Sequence, residues 1–137
     1  MNLNIEPQPW KRPKTRVVKG WVKHYSPQET KEYEELVATM YKAKSHGVYW
    51  EAHEPIGMFI WFGLPIPKST SKKRARQMTL GEVKHTKRPD VDNLVKAVLD
   101  GLNGVAWEDD SQITTLNIRK CYCEAPYIWL HIYDDVN

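Results

Sequence analysis

The residues best suited to chemistry lie in the segment KRPDVDNLVKAVLDGLNGVAWEDDSQI, residues 87–113. Asp90 and Asp92 stand where a helix should begin, and its dipole and free N–H groups favour negative charge there. Lys96 follows Asp92 by four positions and Asp100 follows Lys96 by four, so all three share one helix face. Asp109 and Asp110 come just past the helix and just before a strand. A chain that folds back at that point brings a third carboxylate against the first two. Carboxylates packed together without a cation repel one another strongly. A divalent metal resolves the conflict, and Mg²⁺, for which Mn²⁺ can substitute, takes oxygen ligands and keeps several waters. Such an ion activates water for attack on a phosphodiester and stabilises the leaving oxygen. A nearby lysine meets the charge that develops on the phosphate.

Taken singly, each of these residues has a plainer role. Asp90 or Asp92 caps a helix, Lys96 pairs with Asp92 or Asp100, and Asp109 and Asp110 sit in a solvated turn. What favours chemistry is their combination beside basic sequence. From Lys11 to His24 there are six Lys or Arg and no acid, and from Lys68 to Arg88 there are eight against Glu82 alone. The net charge of +3 hides this separation. It suits a polyanion that must approach an acidic, metal-loaded centre. The expected phosphate contacts are Lys11, Arg12, Lys14, Arg16, Lys72, Lys73, Arg74, Arg76, Lys87 and Arg88.

Other chemistries find no support. No Ser-His-Asp or Cys-His arrangement and no glycine-rich phosphate loop is present, and the five histidines lack metal-ligand spacing. His85 alone, inside the basic stretch, is placed to touch DNA. Neither a signal-peptide pattern nor an apolar run of membrane-spanning length appears. The expected location is therefore cytoplasmic, without a membrane partner. Cys121 and Cys123, two apart on a strand, are read as pointing to opposite faces and as reduced, unbridged thiols.

The elements that must position the acids follow from periodicity. Pro7, Pro9 and Pro13 keep the start extended. Residues 16–25 are β-branched and aromatic, which predicts a strand. Ser26, Pro27 and Glu29 form a helix start, followed by Tyr33, Leu36, Val37, Met40 and Tyr41 at helical spacing, with Gly47 as the stop. Residues 55–66 predict a strand with Ile56, Met58, Ile60, Phe62 and Leu64 on one face and Phe59 and Trp61 on the other. Phe59, Trp61 and Trp107 are read as core or interface residues, with stacking on a bound nucleic acid as the alternative. The basic stretch 68–88 reads as a long mobile loop. A second helix over 90–103 buries Val91, Leu94, Val95, Val98 and Leu102, and residues 113–123 and 126–134 predict two strands. The whole, residues 1–137, is expected to be a single α+β domain: a mixed sheet with two main helices packed on it.

The run DVDNLVKAVLDGLNG followed by WEDDSQI resembles the RusA family of Holliday junction resolvases, many of them phage or prophage encoded. The resemblance is close over residues 87–113 and elsewhere rests on layout. It implies that Asp90, Asp92 and Asp110 are the metal-binding acids and that Lys96 is the catalytic lysine. It further implies that Asn93 and Asp109 support them, while Gln112 receives no role. Pro89 departs from the pattern where some members carry a basic residue, which shifts local DNA contacts to Arg88 and Lys87. Implied with the family are a homodimer and paired, symmetric, Mg²⁺-dependent nicks in four-way DNA junctions during recombination and repair. A two-fold dimer also matches the near two-fold symmetry of such a junction. The alternatives are a non-catalytic branched-DNA-binding module, or a related metal nuclease acting on flaps or RNA.

Overall fold

The computed structural model describes residues 1–12, 14–25 and 28–136, with the backbone alone at 14, 16, 18 and 22–25. The helix start expected at Ser26 and Pro27 lies outside the described residues. Three helices and a four-stranded mixed sheet make an α+β fold, as the periodicity predicts. The sheet has the order β1 (Asn2–Leu3), β6 (Tyr127–Asp134), β4 (Ile56–Pro65), β5 (Ile113–Cys123). β4 runs antiparallel to β6 and parallel to β5.

Alternation decides which side of the sheet is covered. Ile56, Met58, Ile60, Phe62 and Leu64 are all buried, at 3% exposure or less, whereas Phe59 and Trp61 stay 37% exposed. The inner face meets α1 (Gln28–Ser45) through Tyr33, Val37 and Tyr41, and α3 (Val91–Leu102) through Leu94, Val95, Val98 and Leu102. Burying one such side chain contributes about 1.5–3 kcal/mol, so this face supplies most of the fold's driving force. Leu36 and Val91, expected in the core, are instead exposed at 45% and 39%. Where α3 meets α1 it presents a small residue. Ala97 and Gly101 are buried, and a Cβ on Gly101 would lie 3.1 Å from the Glu34 carbonyl oxygen and 3.2 Å from its Cα. Close approach of α1 and α3 depends on that missing side chain.

Three other expectations are corrected. The strand at 16–25 is a hairpin, β2 (Lys14–Val18) and β3 (Trp21–Tyr25), forming its own two-stranded sheet. Lys19 and Gly20 both have positive φ (52° and 80°), the backbone that a two-residue hairpin turn requires. The supposed mobile loop at 68–88 contains helix α2 (Lys72–Thr79), capped by the Ser71 hydroxyl, which accepts from the Arg74 N–H at 3.2 Å. Its basic residues point to solvent and only Met78 is buried, so it has almost no apolar periodicity to read. Finally, residues two apart on a strand share a face, so Cys121 and Cys123 do not point opposite ways. Both are free thiols on the side of the sheet that carries Tyr127.

Replacing Gly101 with Val should force α1 and α3 apart and cost about 1–3 kcal/mol. Thermal unfolding measures this, and an unchanged midpoint would show that the helices do not meet closely there.

Candidate active site

Because β4 and β5 are parallel, the chain between them must cross over the sheet. That crossover carries α2, α3 and a short 3₁₀ turn, Asp110–Gln112, before entering β5. The turn is held from three directions. Asp109 accepts from the Ser111 N–H at 3.0 Å while its own N–H donates to Gln112 Oε1 at 2.9 Å, a reciprocal capping box. Gln112, only 7% exposed, donates its amide to the carbonyls of Glu51 and Glu54 at 2.7 and 3.0 Å. Trp107, fully buried, donates its indole N–H to Asp110 Oδ1 at 2.7 Å. Gln112, without a role on sequence grounds, is the clamp that fixes the turn to the loop ahead of β4.

This anchoring gives Asp110 a distinctive electrostatic setting. Partial burial pushes its carboxyl above the ordinary range; Asp100 and Asp109 push the same way, opposed by the Trp107 N–H and by Lys96. Glu34, across on α1, is also raised, first by burial and then by Asp100, with Lys96 opposing. Asp109 moves the other way because Ser111 hydrogen bonds stabilise its anion. Lys96 is therefore the cation shared by the group. Its Nζ sits 3.7 Å from Asp100 Oδ2 and 5.1 Å from the centroid of the Trp10 ring. Asp100 stands with Asp110 and Lys96.

Asp90 and Asp92 lie toward the other end of α3. Asp90 is the N-cap residue, yet its side chain caps no backbone N–H; Asp92 Oδ1 accepts from the Asn93 N–H at 2.9 Å. Both side chains are exposed. Eight residues separate Asp92 from Asp100, about 12 Å along a helix axis. Neither Asp90 nor Asp92 is among the charges that shift Asp110. Among the described residues no three His, Cys, Asp or Glu side chains are gathered closely enough to hold a metal. The donors available along this stripe are carboxylate oxygens, a chemistry that fits a hard ion such as Mg²⁺ better than a soft one.

Next to Asp90 opens a cleft of about 680 Å³, between the N-terminal segment and the chain that leads into α3. Lys11, Lys87 and Arg88 line it together with Trp10, Tyr122 and Asn93. Asn93 supports this wall through its carbonyl, which accepts from the Trp10 N–H at 2.8 Å. Lys120, which sequence did not single out, donates to the carbonyls of Lys87 and Pro89 at 2.6 and 2.9 Å and so fixes the segment that leads into Asp90. Its signal was invisible because its partners are backbone atoms. His85 packs at a tilt against Tyr122, ring centroids 4.4 Å apart, and its pKa is lowered from the usual value by burial and by the Lys120 charge.

Of the other basic residues, Lys11 pairs with Glu29 at 2.7 Å, and Arg12 is exposed. Lys72, Lys73, Arg74 and Arg76 are exposed on α2 and make no salt bridge among the described residues. The side chains of Lys14 and Arg16 lie outside the described residues.

Asp110 yields a test of its setting. A carboxyl raised by folding favours the folded state below its ordinary range and loses that contribution as pH rises through the raised value. Asp110→Asn, which keeps an oxygen for the Trp107 N–H, should then unfold at a higher temperature than the parent at neutral pH in chelator. The gap should close as the solution is acidified. Equal midpoints at every pH would show that the Asp110 anion is not strained.

Two comparisons bear on these features. The profile of the family described as endodeoxyribonuclease RusA matches residues 4–133. A protein of Bacillus subtilis (strain 168), designated uncharacterized protein YqaN, is 34% identical over 125 residues, covering 90% of this chain and 87% of its own length. A profile match that embraces the acidic stripe, the anchored WEDDSQ turn and nearly all of both sheets leaves one assignment: the chain belongs to the RusA endodeoxyribonuclease family.

Proposed function

We propose that this protein is a Mg²⁺-dependent endonuclease that resolves four-way DNA junctions by paired symmetric nicks, acting as a homodimer in recombination and repair. Membership of the RusA family supports the coarser part, an endodeoxyribonuclease acting on DNA junctions. What supports the metal reading is the placement of Asp110, a partly buried carboxylate fixed by the Trp107 N–H at 2.7 Å, where burial and then Asp100 and Asp109 disfavour its anion. A half-buried carboxylate beside other carboxylates is stabilised by a cation.

In this reading, which for these acids rests on the family motif, Asp90, Asp92 and Asp110 would supply the oxygens that hold the ion; no three acids are gathered closely enough for this among the described residues, so binding would have to draw them together. Asp100 adds negative charge to the same stripe. The bound ion supplies an activated water and charge neutralisation at the phosphate. The chain's own residues do the rest. Lys96, held between Asp100 and the Trp10 ring, presents a mobile positive charge to the scissile phosphate or its leaving oxygen. Trp107 fixes one Asp110 oxygen, which leaves the other free to act. Asp109 and Gln112 lock the turn, so Asp110 is pre-positioned and loses little freedom when substrate arrives. Lys11, Lys87 and Arg88 around the cleft, and the exposed basic face of α2, suit phosphate contacts that position the duplex arms without reading bases.

Cleavage of synthetic four-way junctions is the direct test. With Mg²⁺ or Mn²⁺ the protein should nick opposite strands symmetrically, and chelator should abolish this. Asp92→Asn and Lys96→Ala should each lose about 10²–10³-fold in rate. Junction binding should persist in Asp92→Asn, because the basic surface is intact. Cleavage that resists chelator, or full activity in Asp92→Asn, overturns the metal mechanism. Preference for flaps or RNA over junctions in the same panel overturns the substrate.

The role of α2 is tested separately by replacing Lys72, Lys73, Arg74 and Arg76 with Ala, a good helix former. Junction affinity should drop, and the slope of log affinity against log salt should become shallower by about 0.9 for each phosphate no longer neutralised. An unchanged slope would place the DNA elsewhere.

A further inference from the structure

A lysine on an exposed helix face has many conformations open to it. The Lys96 side chain is 49% exposed on α3, and ordering so long a chain costs entropy that a contact must offset. Asp100, its partner on the same helix, is a weak holder. The two stand four apart with the lysine first, the less favourable order for such a pair, and Nζ stays 3.7 Å from Oδ2. Exposed pairs of this kind contribute little. The second holder comes from another part of the chain. The same Nζ lies 5.1 Å from the centroid of the Trp10 ring, within the range at which a ring face attracts an ammonium.

Trp10 is itself well anchored. Pro7 and Pro9 restrict the segment ahead of it, and Pro7 is buried. The Trp10 N–H donates to the Asn93 carbonyl at 2.8 Å, in the first turn of α3, and Trp10 packs against the core. Lys11, next in the chain, pairs at 2.7 Å with Glu29 in the first turn of α1. The indole is thus tied to the helix that carries Lys96. An indole face also differs from a carboxylate in what it leaves free. It attracts the charge without engaging an N–H as an oxygen does, and 3.7 Å to Asp100 is longer than a hydrogen bond. Neither holder uses up the three donors of the ammonium.

We propose that Trp10 is the positioning residue of Lys96: its ring holds the ammonium in place while leaving the N–H donors free for the phosphate. The purpose of this arrangement rests on the role given to Lys96 in the proposed function; the contact itself does not. Placement of such a charge matters, since an error of about 1 Å in a reacting group can cost about 10²-fold in rate. Trp10 also lines the cleft beside Asp90, so the residue meets both the cleft and the lysine. Direct stacking of the ring on DNA is the competing role, and it predicts a different pattern. Affinity would then fall when the ring is removed, whether or not Lys96 is present.

Two measurements on the full-length protein separate these roles. The first, by NMR, needs no activity. The ε-methylene protons of Lys96, assigned through Lys96→Arg, should be shifted upfield by the indole ring current, and Trp10→Leu should return them to the ordinary lysine position. An unshifted resonance in the parent overturns the proposal. The second is a double-mutant cycle on single-turnover cleavage of synthetic four-way junctions with Mg²⁺. Trp10→Leu should slow cleavage about 3- to 30-fold and change junction affinity by less than about 2-fold. Trp10→Phe, which keeps a ring face, should recover part of the rate. In the Lys96→Ala background, Trp10→Leu should add less than about 2-fold. Equal losses in both backgrounds, or a loss confined to affinity, overturn the proposal and make Trp10 a structural residue or a DNA contact. Should Trp10→Leu lose its fold by circular dichroism, Trp10→Phe replaces it in the cycle with a smaller expected loss. A parent that cuts no junction overturns the proposed function instead, and the resonances then decide whether the ring holds the lysine.

Discussion

The parallel pairing of β4 with β5 is the constraint from which the rest of the molecule follows. Parallel neighbours cannot be joined by a tight turn, so the chain must leave the sheet, cross its inner face and return. That crossover is the source of α3 and of the turn that carries Asp110. Strand β4 is suited to the central position because its alternate residues from Ile56 to Leu64 are buried on one face. A slip of one residue would expose all of them and bury Phe59 and Trp61 against the helices. The register is thereby fixed, and with it the level at which α3 lies against the sheet.

From that frame the acidic site inherits its electrostatics. The 3₁₀ turn is clamped by Gln112 to the loop before β4 and by Trp107 to the core. A carboxylate so placed is partly buried and lies near Asp100 and Asp109, and burial first, then those charges, disfavour its anion. Lys96 compensates in part from 3.7 Å away from Asp100, on a stem that rests by Trp10. At the start of α3, Asp90 and Asp92 remain in solvent, beside a cleft with a basic rim. One helix thus carries negative charge along its length, with a lysine at its middle and a basic-rimmed cleft beside its start. This is the arrangement that an incoming phosphate chain, with its counterions, must meet.

The two faces of the sheet share one alternation but not one fate. Inward residues meet α1 and α3 and close the core. Outward residues stack on each other and stop there. The glycines at 57 and 63 leave room for the rings of Tyr133 and Tyr127, so this stacking is built into the backbone and is not an accident of surface composition.

How much of this was legible beforehand depends on where the controlling partner sits in the chain. Periodicity of two over 56–64, helical spacing through Tyr33, Val37 and Tyr41, and the DVDNLVK and WEDDSQ runs are local, and the amino-acid sequence alone determined them. The α+β class, the family and the roster of acids followed. Tertiary structure decided what local pattern cannot carry. Helix α2 was hidden because a cap and one buried methionine hold it, without an apolar stripe. That Leu36 and Val91 are exposed while Ala97 and Gly101 are buried depends on how α1 and α3 pack. The roles of Gln112 and Lys120 rest on backbone carbonyls distant in sequence, which no residue type announces. Whether Asp110 stands with Asp100 or with Asp90 and Asp92 was likewise a matter of three-dimensional placement, since a helix spreads its residues by about 1.5 Å each. Sequence names the charged groups; only the packed chain sets the distances between them, and electrostatic energy depends on distance.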